Sequence, residues 1–136
     1  MAATALVDTG FLAALVRRRD THRDWAIAQA AILRPPWHCC EAVLTETFFL
    51  LGPPSTSALS LLLQRGSLQI SFSFADHQAS VLTLMQRYSD VPMSLADACL
   101  VRMSEIMPDP MILTTDTDFR IYRRNSRQTV PCVLPR

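Results

Sequence analysis

Thr4-Ala5-Leu6-Val7-Asp8-Thr9 decides how this chain is read. A short apolar run that ends abruptly in a carboxylate reads as a buried strand with a polar group at its carboxyl end. Met111-Ile112-Leu113-Thr114-Thr115-Asp116 repeats the pattern near the other end of the chain. Between and around them, Trp37 to Cys39, Leu68 to Phe72 and Thr129 to Val133 also read as short strands. Helices are expected from Thr9 to Arg17, Thr21 to Leu33, Glu41 to Leu51, Ser55 to about Gly66, Ala75 to Tyr88 and Leu95 to Met107, with a helical turn from Asp118 to Arg123. Asp20 or Thr21 is the expected cap of the second helix, and Ser55 that of the fourth. Strands alternating with helices predict an α/β fold, an α/β/α sandwich with a central, mainly parallel sheet. The expected organisation is one domain over residues 1–136. In such sheets, sites form at the carboxyl ends of the strands.

Four carboxylates stand on or at the end of apolar segments. They are Asp8, Asp116, Glu46 in Val43-Leu44-Thr45-Glu46-Thr47-Phe48-Phe49, and Asp97 in Ser94-Leu95-Ala96-Asp97-Ala98. Unpaired acids are costly to bury. The chain has no lysine, its 13 basic residues are all arginine, and none adjoins any of the four acids. Each acid also has an ordinary structural reading. Asp8 can cap the helix that starts at Thr9. Asp97 can close a capping box with Ser94. Asp116 can form an Asx turn. Glu46 has only Ala42, Val43, Phe49 and Leu50 three and four residues away on its helix, so no opposite charge reaches it along the helix.

Taken together the four acids point further. Carboxylates about 4–6 Å apart repel by roughly a few kcal/mol per pair at an effective dielectric near 20. Magnesium or manganese removes that repulsion, prefers oxygen ligands and keeps water in its shell. Such an ion suits phosphodiester hydrolysis. Zinc prefers histidine and cysteine, and His22, His38 and His77 lie apart from the acids in sequence. Cys39, Cys40, Cys99 and Cys132 have no C-x-x-C spacing and read as free thiols.

Other α/β chemistries are excluded. A P-loop needs glycines and a lysine, and the dinucleotide fingerprint G-x-G-x-x-G is absent. A receiver domain needs a lysine. A haloacid-dehalogenase-like phosphatase needs an acid two residues after Asp8, where Gly10 stands. No G-x-S-x-G elbow occurs. Net charge is +1, so the molecule as a whole does not attract nucleic acid. After Asp118, however, the charged residues are Arg120, Arg123, Arg124, Arg127 and Arg136, without an acid. Arg120, Arg123 and Arg124 are therefore candidates for contact with RNA phosphates. No apolar run reaches the roughly 18 residues of a membrane helix, and the N-terminal stretch lacks the basic start of a secretory signal. A cytoplasmic protein is expected.

Ala5-Leu6-Val7-Asp8-Thr9, Leu44-Thr45-Glu46, Val91-Pro92-Met93-Ser94-Leu95-Ala96-Asp97-Ala98 and Leu113-Thr114-Thr115-Asp116-Thr117-Asp118-Phe119 resemble, in this order, the motifs of PIN domains. The resemblance runs from about Thr4 to Leu134. It implies a metal-dependent ribonuclease with Mg2+ or Mn2+ as cofactor. Asp8, Glu46, Asp97 and Asp116 match the acidic catalytic site. Asp8, Asp97 and Asp116 are the expected metal ligands, with Glu46 and Asp118 as further ones. Thr9 and Thr115 are expected to support the acids from behind. Small chains of this kind resemble the VapC-like toxins of type II toxin–antitoxin pairs, which implies a homodimer, a cognate antitoxin and an RNA substrate. A housekeeping RNA-processing nuclease and an inactive binding module on the same fold are the alternatives. Gly10 departs from the pattern, since Ser or Asn usually follows Asp-Thr.

Overall fold

The computed structural model describes residues 2–136. The chain runs through β1 (Thr4–Val7), α1 (Thr9–Val16), α2 (Arg23–Ile32), β2 (Trp37–Cys39), α3 (Glu41–Leu51), α4 (Pro53–Gln64), β3 (Leu68–Ile70), α5 (Phe74–Arg87), α6 (Leu95–Ile106), β4 (Pro110–Leu113), a 3-10 turn (Thr117–Arg120), β5 (Arg123–Arg124), β6 (Gln128–Thr129) and β7 (Cys132–Val133). A five-stranded sheet in the order β3-β2-β1-β4-β7 is flanked by the six helices. Every pairing in it is parallel. The fold is therefore the expected α/β sandwich.

The central pair of strands positions the site. β1 lies beside β4 with Thr4 opposite Pro110 and Val7 opposite Leu113. Asp8 and Thr114 are next in line, one strand spacing of about 4.8 Å apart. The Asp8 N–H donates to the Leu113 carbonyl at 3.3 Å, extending the ladder by one residue. Leu6, Val7, Ile112 and Leu113 are fully buried, as are Phe11 and Leu12 of α1 and Leu100, Val101 and Met103 of α6. Asp8 thus sits where the apolar core ends.

Several boundaries differ from expectation. Asp20 and Thr21 do not cap α2, which starts at Arg23 behind His22. Asp20 instead accepts the His22 N–H at 2.8 Å and turns the chain before the helix. Ser55 does not cap α4 but lies inside it, because Pro53 and Pro54 occupy its first turn. Proline there loses no hydrogen bond. β3 ends at Ile70, short of Phe72. The expected final strand is split into β6 and β7 around Pro131, which has no N–H for a ladder, although its carbonyl accepts from Ile112 N–H at 2.9 Å. β5 and β6 form an antiparallel hairpin, with Asn125 and Ser126 in the left-handed region. α6 ties this hairpin down, since Glu105 accepts the Asn125 N–H at 2.6 Å. No helix among the described residues is long and apolar enough to cross a membrane.

Candidate active site

Asp8 is 7% exposed and both its carboxylate oxygens are engaged. Oδ1 accepts the Phe11 N–H at 2.9 Å, which caps α1. Oδ2 accepts the hydroxyl of buried Thr114. The Thr114 oxygen in turn accepts the Asp116 N–H at 2.9 Å, and Asp116 Oδ1 accepts the Asp118 N–H at 2.9 Å. One continuous set of hydrogen bonds therefore runs from the end of β1, across the end of β4, into the turn that carries Asp116.

Asp97 comes from the first turn of α6, capped by Ser94, whose hydroxyl oxygen accepts the Asp97 N–H at 3.0 Å. Asp97 Oδ2 accepts the Tyr122 hydroxyl at 2.8 Å. Tyr122 is fully buried and packs edge-on against Phe119 at 5.3 Å and Tyr88 at 5.2 Å. Glu46 differs from the other three. It is exposed, and its one close partner is the Thr9 hydroxyl, at 3.4 Å from Oε2. That hydroxyl also lies 3.3 Å from the Val43 carbonyl and accepts from Thr47 Oγ1 at 3.2 Å.

The acids act on one another. Burial pushes Asp8 up to about 7, against the opposing hydrogen bonds from Thr114 and Phe11, and the charges of Asp97 and Asp116 push it further. Burial likewise pushes Asp97 up to about 6, opposed by the Tyr122 and Ser94 hydrogen bonds and reinforced by the charges of Asp116 and Glu46. Burial, and then the Asp97 carboxylate that its hydroxyl serves, raise Tyr122 well above the ordinary phenol range. No cation contributes to holding Asp8 or Asp97 ionised. The ion pair found among the described residues, Arg102 with Glu105 at 3.2 Å, involves none of the four acids.

This donor set is all oxygen and carries several like charges, which fits a hard divalent cation and no softer metal. As the side chains stand, no three His, Cys, Asp or Glu residues among those described form a ready cage for an ion. Asp8 turns both oxygens into the protein, and Asp97 gives one to Tyr122. Asp8, Asp97 and Asp116 are the residues that would hold such an ion, each with its carboxylate fixed on one side by the protein.

The remaining candidates separate. Arg123 turns its guanidinium onto the Arg120, Ile121 and Tyr122 carbonyls at 2.8–3.3 Å, which closes the end of the 3-10 turn. Arg124 is half-buried, with an unpartnered Nε, and Arg120 is exposed. His38 pairs with Ser71 at 2.6 Å, and His77 stacks on Phe72 and accepts from Arg102. The four cysteines are free thiols. A groove of about 810 Å³, lined by Arg17, Arg18, Arg19 and the start of α4, lies at the end of α1 opposite Asp8. Sequence reading missed Thr114 and Tyr122. Thr114 follows from the β1–β4 register. Tyr122 has no sequence signal, being 25 residues from the acid that it serves.

The PIN domain family matches residues 5–125. The chain belongs to the PIN domain family. PIN domains are in general nucleases, act on nucleic acid and typically use a divalent metal, so the acids at the end of β1 and β4 fall where such chemistry is wanted. A comparison with curated proteins finds no match.

Proposed function

We propose that this chain is a metal-dependent endoribonuclease, with residues 1–136 forming a single PIN domain, and that it is the toxin of a type II toxin–antitoxin pair. The observation that carries the nuclease reading is the mutual repulsion of Asp8, Asp97 and Asp116 at the carboxyl end of the central strands, with no protein cation to relieve it. A bound Mg2+ or Mn2+ supplies the missing positive charge and Lewis acidity toward a phosphodiester. The chain's own groups do the rest. Asp8, Asp97 and Asp116 hold the ion from the protein side. Thr114 and Tyr122 fix two of these carboxylates, so little ordering is left to be done when substrate arrives. Glu46, exposed and lightly held, stands on the solvent side where RNA and the attacking water enter. Asp118 and Thr9 border the same site. Arg120 is the basic residue of the C-terminal segment freest to meet a phosphate, while Arg123 and Arg124 shape the turn behind it.

Small size and resemblance in motif order support the toxin reading. A homodimer and an antitoxin partner in the cytoplasm go with it. The apolar face that would serve either is on α3, where Phe49 is 90% exposed and Leu50 is exposed beside it. Light scattering at micromolar concentration is expected to give twice the chain mass, and a clean monomer contradicts the dimer. The nuclease reading is tested by incubating purified protein with structured RNA and millimolar Mg2+ or Mn2+. Cleavage at defined sites is expected, lost on chelation and lost in Asp8→Asn. Cleavage that survives both overturns the reading.

A further inference from the structure

Gly10 is the second residue of α1, and neither backbone nor helix propensity explains it. Its φ is not among the positive values, which fall at Gly52 and Gly66. Within a helix glycine is disfavoured relative to alanine, because it loses more backbone freedom on folding. Space explains it. A Cβ at position 10 would stand 2.0 Å from Thr115 Oγ1, 3.2 Å from Thr115 Cβ and 3.5 Å from Asp8 Oδ1. The seat that a side chain at position 10 would take is already filled by a hydroxyl from the other side of the site. Thr115 directly follows Thr114, whose hydroxyl donates to Asp8 Oδ2. The two consecutive threonines therefore flank one carboxylate, Thr114 at Oδ2 and Thr115 on the side of Oδ1.

We propose that Thr115 is a positioning residue for Asp8, that its hydroxyl replaces a polar side chain at the start of α1, and that Gly10 is present to admit it. The proposal rests on the reading of Asp8 as part of a nuclease site. It assigns the hydroxyl to the loop after β4 rather than to α1. A polar group beside the carboxylate then persists although position 10 has no side chain.

Thr115→Val keeps the shape and deletes the hydroxyl, whereas Thr115→Ser keeps the hydroxyl. Thr115→Val is expected to lower both the cleavage rate and the apparent affinity for Mg2+, read from the magnesium-induced rise in Tm, by roughly 10–100-fold, the usual cost of losing support behind a metal ligand. Thr115→Ser is expected to restore both. Gly10→Ser alone overpacks the site and should lower Tm by roughly 3–10 °C. Gly10→Ser combined with Thr115→Ala returns the hydroxyl from the α1 side and should recover Tm and magnesium response. A wild-type magnesium response in Thr115→Val, or a wild-type Tm in Gly10→Ser, overturns the proposal. If the double variant does not fold, the Val and Ser pair decides. Asp8→Asn run in parallel separates the two ideas. Loss in Asp8→Asn without loss in Thr115→Val sinks the Thr115 role alone. No loss in Asp8→Asn sinks the nuclease site itself.

Discussion

The inner wall of the site and its rim are built differently. Asp8 and Asp97 are held by hydrogen bonds from Phe11, Thr114 and Tyr122, and burial pushes both well above the ordinary carboxylate range. Glu46 is exposed and has one long contact, to Thr9. The difference separates two tasks that acids of one site can have. The wall acids carry the electrostatic strain that makes a cation welcome, and they are rigid. The rim acid is free to follow substrate and water.

The largest expected effect breaks the comparison at the wall. Asp97→Asn should abolish cleavage to the limit of detection, because it removes a charge that nothing nearby replaces. Glu46→Gln should leave measurable cleavage, slowed by roughly 10²–10⁴-fold, the range for loss of a general acid or base. Equal residual rates in the two variants would dissolve the distinction between wall and rim.

Stability against pH sharpens it next. Asp8 and Asp97 have folded-state values of about 7 and about 6, above the ordinary 3.8. A carboxyl raised by folding holds its proton more tightly in the folded state. Its contribution is fully present below about pH 4 and is lost as pH climbs toward 7. Without metal, these two groups should therefore cost stability between pH 4 and 7, on the order of a few kcal/mol in total. Denaturation curves across that window should show the loss in wild type and a smaller loss in Asp8→Asn. Glu46→Gln should leave the slope unchanged. Magnesium at pH 7 should raise Tm in the wild type by linkage. A pH profile unaffected by Asp8→Asn contradicts the assignment of the strain to the wall.

Tyr122→Phe carries the smallest effect. It removes the hydroxyl from Asp97 without changing the aromatic packing on Phe119 and Tyr88. Chemical denaturation should show a cost of about 1–2 kcal/mol, and cleavage should fall by about tenfold. Wild-type cleavage in this variant would mean that Asp97 is placed by its helix alone.

Much of this was legible in the chain. β1, β2 and α3 match expectation to the residue, because each is an apolar run with a sharp polar or proline boundary. The hairpin of β5 and β6 was not legible, since strands of two residues have no periodicity. The capping and turn roles read for Asp8 and Asp116 are present in the structure, where Asp8 caps α1 and Asp116 closes an Asx turn on Asp118. Those roles do not compete with membership of an acid cluster, because a cap at the carboxyl end of a strand is also where the cluster forms. Asp97 shows what sequence cannot supply. Its capping box is half made, with the Ser94 half present, while its own carboxylate turns to Tyr122. That choice depends on the path of the chain after the 3-10 turn, which no local pattern encodes. Gly10 looked like a missing polar group, and only the position of Thr115 in space gives it a reason.

The most direct test of the converging acids is a Mn2+ titration of the purified protein, followed calorimetrically at pH 7, for wild type, Asp8→Asn and Asp97→Asn. The account predicts saturable binding in the wild type and its loss in both variants, with the folded state retained. Absence of binding in the wild type, or binding unchanged by either substitution, contradicts it.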